Sequence, residues 1–268
     1  MGIAERLGPF LTAPLHPAAR TVICWSEGDP PAALPGDPIF DPGSIWRMYC
    51  NADGTIYTAL ISYPGEDGRS RQAMLTTNAA WDDIVLTERR DGPAWRSLVA
   101  FGVGEIIFRT RVLFADGLVF HASGIDDNGK GIVFVGHSGA GKSTQVGLWS
   151  KFPGVTAMND DRIAVRVKNG NAVAYGTPWG GTANIARNHR APLAAIVVLE
   201  QATENEIHPV QQSAAAPLLL PRTFLPYWDQ ALMCQAIDIL GRLLDCVPVY
   251  RLRCQPEPGV IPLVRSVL

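Results

Sequence analysis

Residues 132–144 read IVFVGHSGAGKST, a hydrophobic strand that runs through a glycine-rich turn into a lysine followed by hydroxyl residues. Gly136, Gly139 and Gly141 let the backbone take positive φ angles, so that its N–H groups turn inward on an anion. Lys142 adds a point charge, and a helix starting here would present its positive N-terminus to the same anion. The run Gly136, His137, Ser138, Gly139, Ala140, Gly141, Lys142, Ser143 fits the GxxxxGK[ST] pattern, with Thr144 next. In such a loop the hydroxyl at the Ser143 position is the usual Mg²⁺ ligand. The pattern also requires a strand before it and a helix after it, and Ile132 to Val135 and Gln145 to Trp149 have those characters. The reading is a nucleoside triphosphate site.

Composition narrows the partners. With 268 residues, 47% hydrophobic and 18% charged, the chain can bury a substantial core as one large domain or two small ones. A net charge of −2 gives no electrostatic argument for nucleic acid or for an anionic membrane surface. Cys24, Cys50, Cys234, Cys246 and Cys254 are odd in number and lack CxxC spacing, which predicts buried free thiols in a reducing compartment. Glu5 and Arg6 fall where a secretory apolar segment would begin, and no run approaches eighteen apolar residues. The expected location is the cytoplasm.

Along the chain, the prolines between residues 27 and 43 predict a loop. The alternating segments Ser44 to Asn51, Thr55 to Tyr63, Gln72 to Thr77 and Asp82 to Glu88 predict an antiparallel β-rich region. Apolar residues at helical spacing from Trp95 to Phe114 predict a helix. The pattern then changes to strand, turn, strand, glycine-rich loop and helix, so a first region over 1–116 and an α/β domain over 117–268 are expected. In the second, strands are predicted at 118–125, 132–135, 155–159, 162–167, 172–175, 194–200 and 247–253. Helices are predicted at 142–151, 227–244 and 260–268.

A phosphate loop needs acidic company to do chemistry, and Asn159-Asp160-Asp161 follows the strand Val155 to Met158. One helix and one strand beyond Lys142, this pair would lie beside the loop in a compact α/β sheet. Asp161 could then bind a metal, directly or through water, while Asp160 accepts the proton of an acceptor or orients it. Asn-Asp clusters also mark solvated turns, which is the competing reading.

These residues together resemble the kinase domain of bacterial HPr kinase/phosphorylase and its shorter relatives, which include lasso-peptide serine kinases. The resemblance covers about residues 117–268 and rests on the order of Phe120-His121-Ala122-Ser123-Gly124, the glycine-rich loop, a short helix and the Asp160-Asp161 pair. It implies an α/β P-loop kinase fold similar to phosphoenolpyruvate carboxykinase, preceded here by a smaller β-rich region. It also implies transfer of the γ-phosphate of ATP, with Mg²⁺, to a serine-type hydroxyl of a peptide, a small protein or a metabolite. Under it, His121 is an active-site polar group, Gly136 to Ser143 hold the nucleotide, Asp160 is the acceptor-facing base and Asp161 a metal-side carboxylate. Arg222 takes the place of an arginine that helps hold phosphates. The family commonly forms oligomers, so a homo-oligomer is among the expected partners. Without the resemblance, His121 would be a core histidine on an apolar strand and Arg222 a surface arginine.

The sequence also departs from that family. Its loop ends in Ser143-Thr144 where the family has Ser-Glu, and Gly176-Thr177-Pro178-Trp179-Gly180-Gly181 stands where a further acidic residue is expected. Thr177 and Trp179 either line an acceptor groove or build a rigid turn. A nucleotide-dependent switch without transfer and a simple NTP hydrolase remain as alternatives to a kinase.

Overall fold

The computed structural model describes residues 7–10, 21–31, 34, 36–43, 46–64, 70–88 and 102–268. It divides into two compact units. One contains Val112–Pro226 and Ala231–Leu268, and the other contains the described residues between 12 and 111 together with Tyr227–Gln230.

The smaller unit is a sheet with one covered face. Strands β1 (Val22–Glu27), β2 (Trp46–Cys50), β3 (Ile56–Pro64), β4 (Ser70–Asn78) and β5 (Asp83–Glu88) lie in the order β1-β5-β4-β3-β2. The β1–β5 pair is parallel, and the others are antiparallel. Period-two alternation buries Ala73 and Leu75 on β4 and Ile84 and Leu86 on β5. Helix α1 (Gly102–Arg111) adds Val103, Ile106 and Ile107 to the same core, where Trp81 and Trp228 also pack. Burial and the Asp229 carboxylate, which accepts a hydrogen bond from the Tyr57 hydroxyl, both push the Tyr57 pKa up. The four predicted strands match β2 to β5. Strand β1 was not expected, because it is exposed along nearly its whole length and so carries no apolar alternation. The predicted helix over 95–114 is α1 followed by a 3-10 turn at Leu113–Ala115, closed by Asp116 in the left-handed region at φ 56°. Its first part, 95–101, lies outside the described residues.

The larger unit is mixed α/β. It holds β6 (Gly117–Asp127), β7 (Lys130–Val135), α2 (Lys142–Trp149), β8 (Val155–Asn159), β9 (Arg162–Lys168) and β10 (Asn171–Gly176). Then follow β11 (Arg190–Gln201), β12 (Glu206–Pro209), α3 (Gln212–Leu219), α4 (Gln230–Cys246), β13 (Val249–Cys254) and α5 (Val260–Arg265). The strands run β10-β9-β6-β7-β11-β13-β12, with β8 on β6 and a further β10–β11 pairing.

Helices cover both faces, which explains the unbroken apolar runs. On β7, Val133 and Val135 enter one core while Ile132 and Phe134 enter the other. The first core is closed by Ala215 and Leu219 of α3 and by Leu232, Ala236, Ile239, Leu240 and Leu243 of α4, one stripe at helical spacing. Val146 and Trp149 of α2 and Val260, Ile261 and Val264 of α5 close the second. Strand β12 and helix α3 were not expected; Pro217 inside α3 hides it from a propensity reading. No described helix is long and apolar enough to cross a membrane. All five cysteines are free, but only Cys254 is buried, whereas Cys24 and Cys234 are exposed. The expectation of uniformly buried thiols is therefore corrected.

Helix α5 is tied to the sheet by a two-point ion pair. Arg265 donates from Nε and Nη2 to Asp127 at 2.8 and 2.9 Å, and its guanidinium lies 5.5 Å from the Trp149 ring centroid. Asp127 is only 5% exposed, so removing the arginine leaves a buried carboxylate with the Asn128 amide, at 2.8 Å, as its remaining side-chain donor. Arg265→Ala should lower unfolding free energy by about 2–3 kcal/mol in urea titrations, with partial recovery when Asp127→Ala is added. A single variant as stable as the parent would show that the pair holds nothing.

Candidate functional site

The glycine-rich turn leaves β7 at Val135 and enters α2 at Lys142. Gly139 and Gly141 have φ of 80° and 100°, values open to glycine at little cost. Lys142 is buried, and its Nζ donates to the Gly136 and His137 carbonyls, each at 3.2 Å. The buried Ser123 hydroxyl donates to the Lys142 carbonyl at 2.9 Å and so anchors the first helical residue to β6. Burial lowers the Lys142 pKa, and the positive charge of Arg222 lowers it further. Arg222 closes a 3-10 turn, donates from Nη1 to the Leu218 carbonyl at 2.7 Å, and has a buried Nε without a hydrogen-bond partner. Two cations are thus held near each other beside the loop.

Sheet register brings the acidic pair to the same place. Strands β8 and β9 share one edge of β6: β9 ends its pairing at His121↔Arg162, and β8 begins at Gly124↔Asn159. The turn carrying Asp160 and Asp161 falls at that junction. There the Ala122 N–H donates to the Asp161 carbonyl at 3.0 Å. Phe120 and Ala122 point into the first core, and alternation turns His121 away from it. His121 Nε2 lies 3.0 Å from Asp161 Oδ1, while Arg162 Nη1 donates to Asp161 Oδ2. The Phe224 ring stacks on His121 and lies under the Arg162 guanidinium.

A cavity of about 380 Å³ opens between these groups. Lys142, Ser143 and Thr144 line it from the loop side, and His121, Asp160 and Asp161 from the turn. Ser138, Gly139 and Gly141 also face it; Gly136, His137, Ala140 and Arg222 do not.

The two aspartates differ in what surrounds them. Asp160 is 2% exposed and accepts three backbone N–H groups, from Gly181 at 2.8 Å, Ala183 at 2.8 Å and Ile185 at 3.1 Å. Its expected role as a base facing an acceptor sits beside a plainly structural occupation. Asp161 is more open and faces the histidine.

Neighbouring Asn159 had no assigned role. Its Oδ1 accepts the Asp161 and Arg162 N–H groups at 2.7 Å, and its Nδ2 donates to the Thr177 and Trp179 carbonyls at 2.9 and 3.2 Å. Asparagine closing a turn on its own backbone was the available signal. Thr177 and Trp179 are buried and absent from the cavity lining, so the rigid-turn reading holds for them, and Gly181 and Thr182 reach the cavity instead.

Ser143 and Asp161 place a hydroxyl and a carboxylate in one cavity with the lysine. Among the described residues no group of three or more His, Cys, Asp or Glu could hold a metal by itself. Mg²⁺ bound with substrate phosphates needs only one or two protein oxygens and keeps several waters, so the donor set fits that ion.

A family model described as SynChlorMet cassette protein ScmC matches residues 97–255, which is more than half of the chain. No curated protein matches the sequence. Among solved structures, the Hpr(Ser) kinase/phosphatase from Coxiella burnetii aligns with 13% identity over 55% of this chain and 94% of that one. At a TM-score of 0.33 that likeness carries no argument.

Asp160→Asn would set an NH₂ group against backbone donors that now meet a carboxylate oxygen. The variant should lose about 2–4 kcal/mol of stability, against less than about 1 kcal/mol for Asp161→Asn at its more open position. Equal melting of the two variants would remove the structural role of Asp160.

Proposed function

The chain belongs to the ScmC family of SynChlorMet cassette proteins, and we propose that it is an ATP-dependent kinase acting on a serine-type hydroxyl. The observation that carries this reading is the shared cavity, into which Lys142 and Ser143 open on one side and the His121–Asp161 pair on the other. A pure nucleotide switch needs the first set and has no use for the second.

In the proposed reaction the triphosphate lies along the loop, where inward N–H groups, Lys142 and the nearby charge of Arg222 balance its negative charge. Ser143, and Asp161 through water, would hold Mg²⁺, which supplies charge neutralisation on the phosphates. The acceptor hydroxyl enters on the His121 side. Its oxygen bonds to the γ-phosphorus, the bond from that phosphorus to the bridging oxygen breaks, ADP leaves, and the hydroxyl proton passes to His121. Asp161 orients the imidazole and stabilises the charge it gains. Asp160 acts at one remove, by holding the 181–185 segment; this assigns it a positioning role in place of the acceptor-facing one. The proposed acceptor is a peptide, a small protein or a metabolite, and the proposed location is the cytoplasm.

Lys142→Ala should abolish tight ATP binding in calorimetry. His121→Gln should leave ATP affinity within a few fold while transfer of labelled γ-phosphate to serine-containing peptides falls about 10²-fold. Asp161→Asn should impair both transfer and the Mg²⁺-dependent part of binding. A parent protein that hydrolyses ATP at the same rate with or without any acceptor is a hydrolase. One that holds ATP unchanged, with His121→Gln indistinguishable from it, is a switch.

A further inference from the structure

Phe224 touches His121 without lining the cavity itself. Thr223 before it is extended, at φ −103° and ψ 136°, and forms an antiparallel bridge with Phe120 of β6. Both of those side chains are buried, so alternation turns Phe224 to the other face, which on β6 carries His121. The Phe224 N–H donates to the Val119 carbonyl at 2.9 Å, which sets Phe224 beside Val119 and makes His121 its diagonal neighbour. Diagonal neighbours are within reach of an aromatic ring. The buried Thr223 hydroxyl donates to the Leu219 carbonyl at 2.9 Å and fixes the segment.

The ring lies against two of the groups that surround Asp161. Its centroid is 6.4 Å from that of the His121 imidazole, with planes 27° apart, and the Arg162 guanidinium carbon is 5.0 Å from it. His121 and Arg162 in turn meet different oxygens of Asp161. The 3.0 Å contact of His121 Nε2 with Asp161 fixes one atom of the imidazole. One fixed point still lets the ring tilt about the line from Cγ to that nitrogen, whereas a flat ring against its face sets the tilt. The His121 side chain is 43% exposed, so there is room for such a tilt.

We propose that Phe224 is a positioning residue, which holds the plane of the His121 imidazole for proton transfer from the acceptor hydroxyl. The inference rests on the kinase reading above and extends it from the groups that touch substrate to the one that orients the base. A nitrogen lone pair of imidazole lies in the ring plane, so the plane decides where the hydroxyl must sit. Misplacement of a reacting group by about 1 Å can cost about 10²-fold in rate. Nucleotide binding on the Lys142 side needs no such alignment.

The test sets Phe224→Leu, which keeps apolar bulk and removes the flat face, beside Phe224→Tyr, which keeps both. In the full chain, Phe224→Leu should lower kcat for transfer of labelled γ-phosphate to a serine-containing peptide about tenfold, with ATP affinity in calorimetry within about twofold of the parent. Phe224→Tyr should stay within about threefold of the parent in both measurements. In a His121→Gln background Phe224→Leu should cost nothing further, because no imidazole is left to orient. Phe224→Met serves in the same way if the leucine variant does not fold. Nuclear magnetic resonance gives a readout apart from activity: the carbon-bound imidazole protons of His121 should carry a ring-current shift that Phe224→Leu removes. Equal losses in both backgrounds, or equal losses for Phe224→Leu and Phe224→Tyr, would show a merely structural role and overturn the proposal. Loss of the ring-current shift with unchanged transfer would overturn it too and leave the kinase reading standing. A parent protein that transfers phosphate to no serine-containing peptide would overturn the kinase reading and the positioning role with it, whatever the resonance shift.

Discussion

Asn159 and Asp160 are 0% and 2% exposed, and a buried polar group is tolerable only when its hydrogen bonds are made inside the protein. Here the partners are backbone groups on both sides of the junction between β8 and β9. Asn159 clamps the turn to the carbonyls of Thr177 and Trp179, and Asp160 gathers the N–H groups of Gly181, Ala183 and Ile185. The chain must pass very close to do this. A Cβ on Gly181 would lie 3.0 Å from Asp160 Oδ2, and one on Gly180 2.9 Å from the Ile185 carbonyl oxygen. The glycines of that segment therefore serve a buried carboxylate, and their path delivers Gly181 and Thr182 to the rim of the cavity. The position of Asp161, one residue on, follows from the same clamp.

The electrostatics of the site divide along the cavity. On the loop side a buried ammonium feels a guanidinium nearby, so the protonated form of Lys142 is disfavoured twice, by lost hydration and by a like charge. Its Nζ donates to two carbonyls of its own loop. An anion placed there relieves both penalties at once, and whatever binds the folded state in this way also stabilises it. On the turn side Asp161 lies between His121 and Arg162. Under the proposed reading, phosphate lies near Lys142 and a neutral or hydrogen-bonding group near His121.

How much of this was legible in the sequence depends on the range of the interaction. The strand-to-helix turn from Gly136 to Thr144 was, because glycine spacing writes its backbone conformations locally. Strands buried on both faces were also legible, since β7 and β11 are apolar at consecutive positions. His121 and Asp161 were expected in one site through resemblance, but their direct pairing was not; it is explained by register, which no local pattern contains. Asp160 was read as a reactive group because an aspartate beside a phosphate loop suggests chemistry; its three N–H donors come from residues more than twenty positions away, invisible to spacing. Strand β12 and helix α3 were missed for a simpler reason, as a four-residue strand and a helix containing Pro217 give weak periodic signals.

The departures from the HPr kinase pattern acquire a physical meaning in this light. The place where a further acidic residue was expected is taken by Gly176 to Gly181, and that segment is spent on scaffolding: Thr177 donates to the Arg162 carbonyl at 2.9 Å, and the Thr177 and Trp179 carbonyls receive Asn159. Thr144 borders the cavity with a neutral hydroxyl. Fewer carboxylates beside the loop mean less repulsion of a polyphosphate and fewer protein oxygens for a cation. Under the proposed reading, Mg²⁺ then owes most of its coordination to phosphate oxygens and water. Cation and nucleotide would enter as one unit, which leaves the protein's own carboxylates to fix the backbone at Asp160 and to orient the imidazole at Asp161.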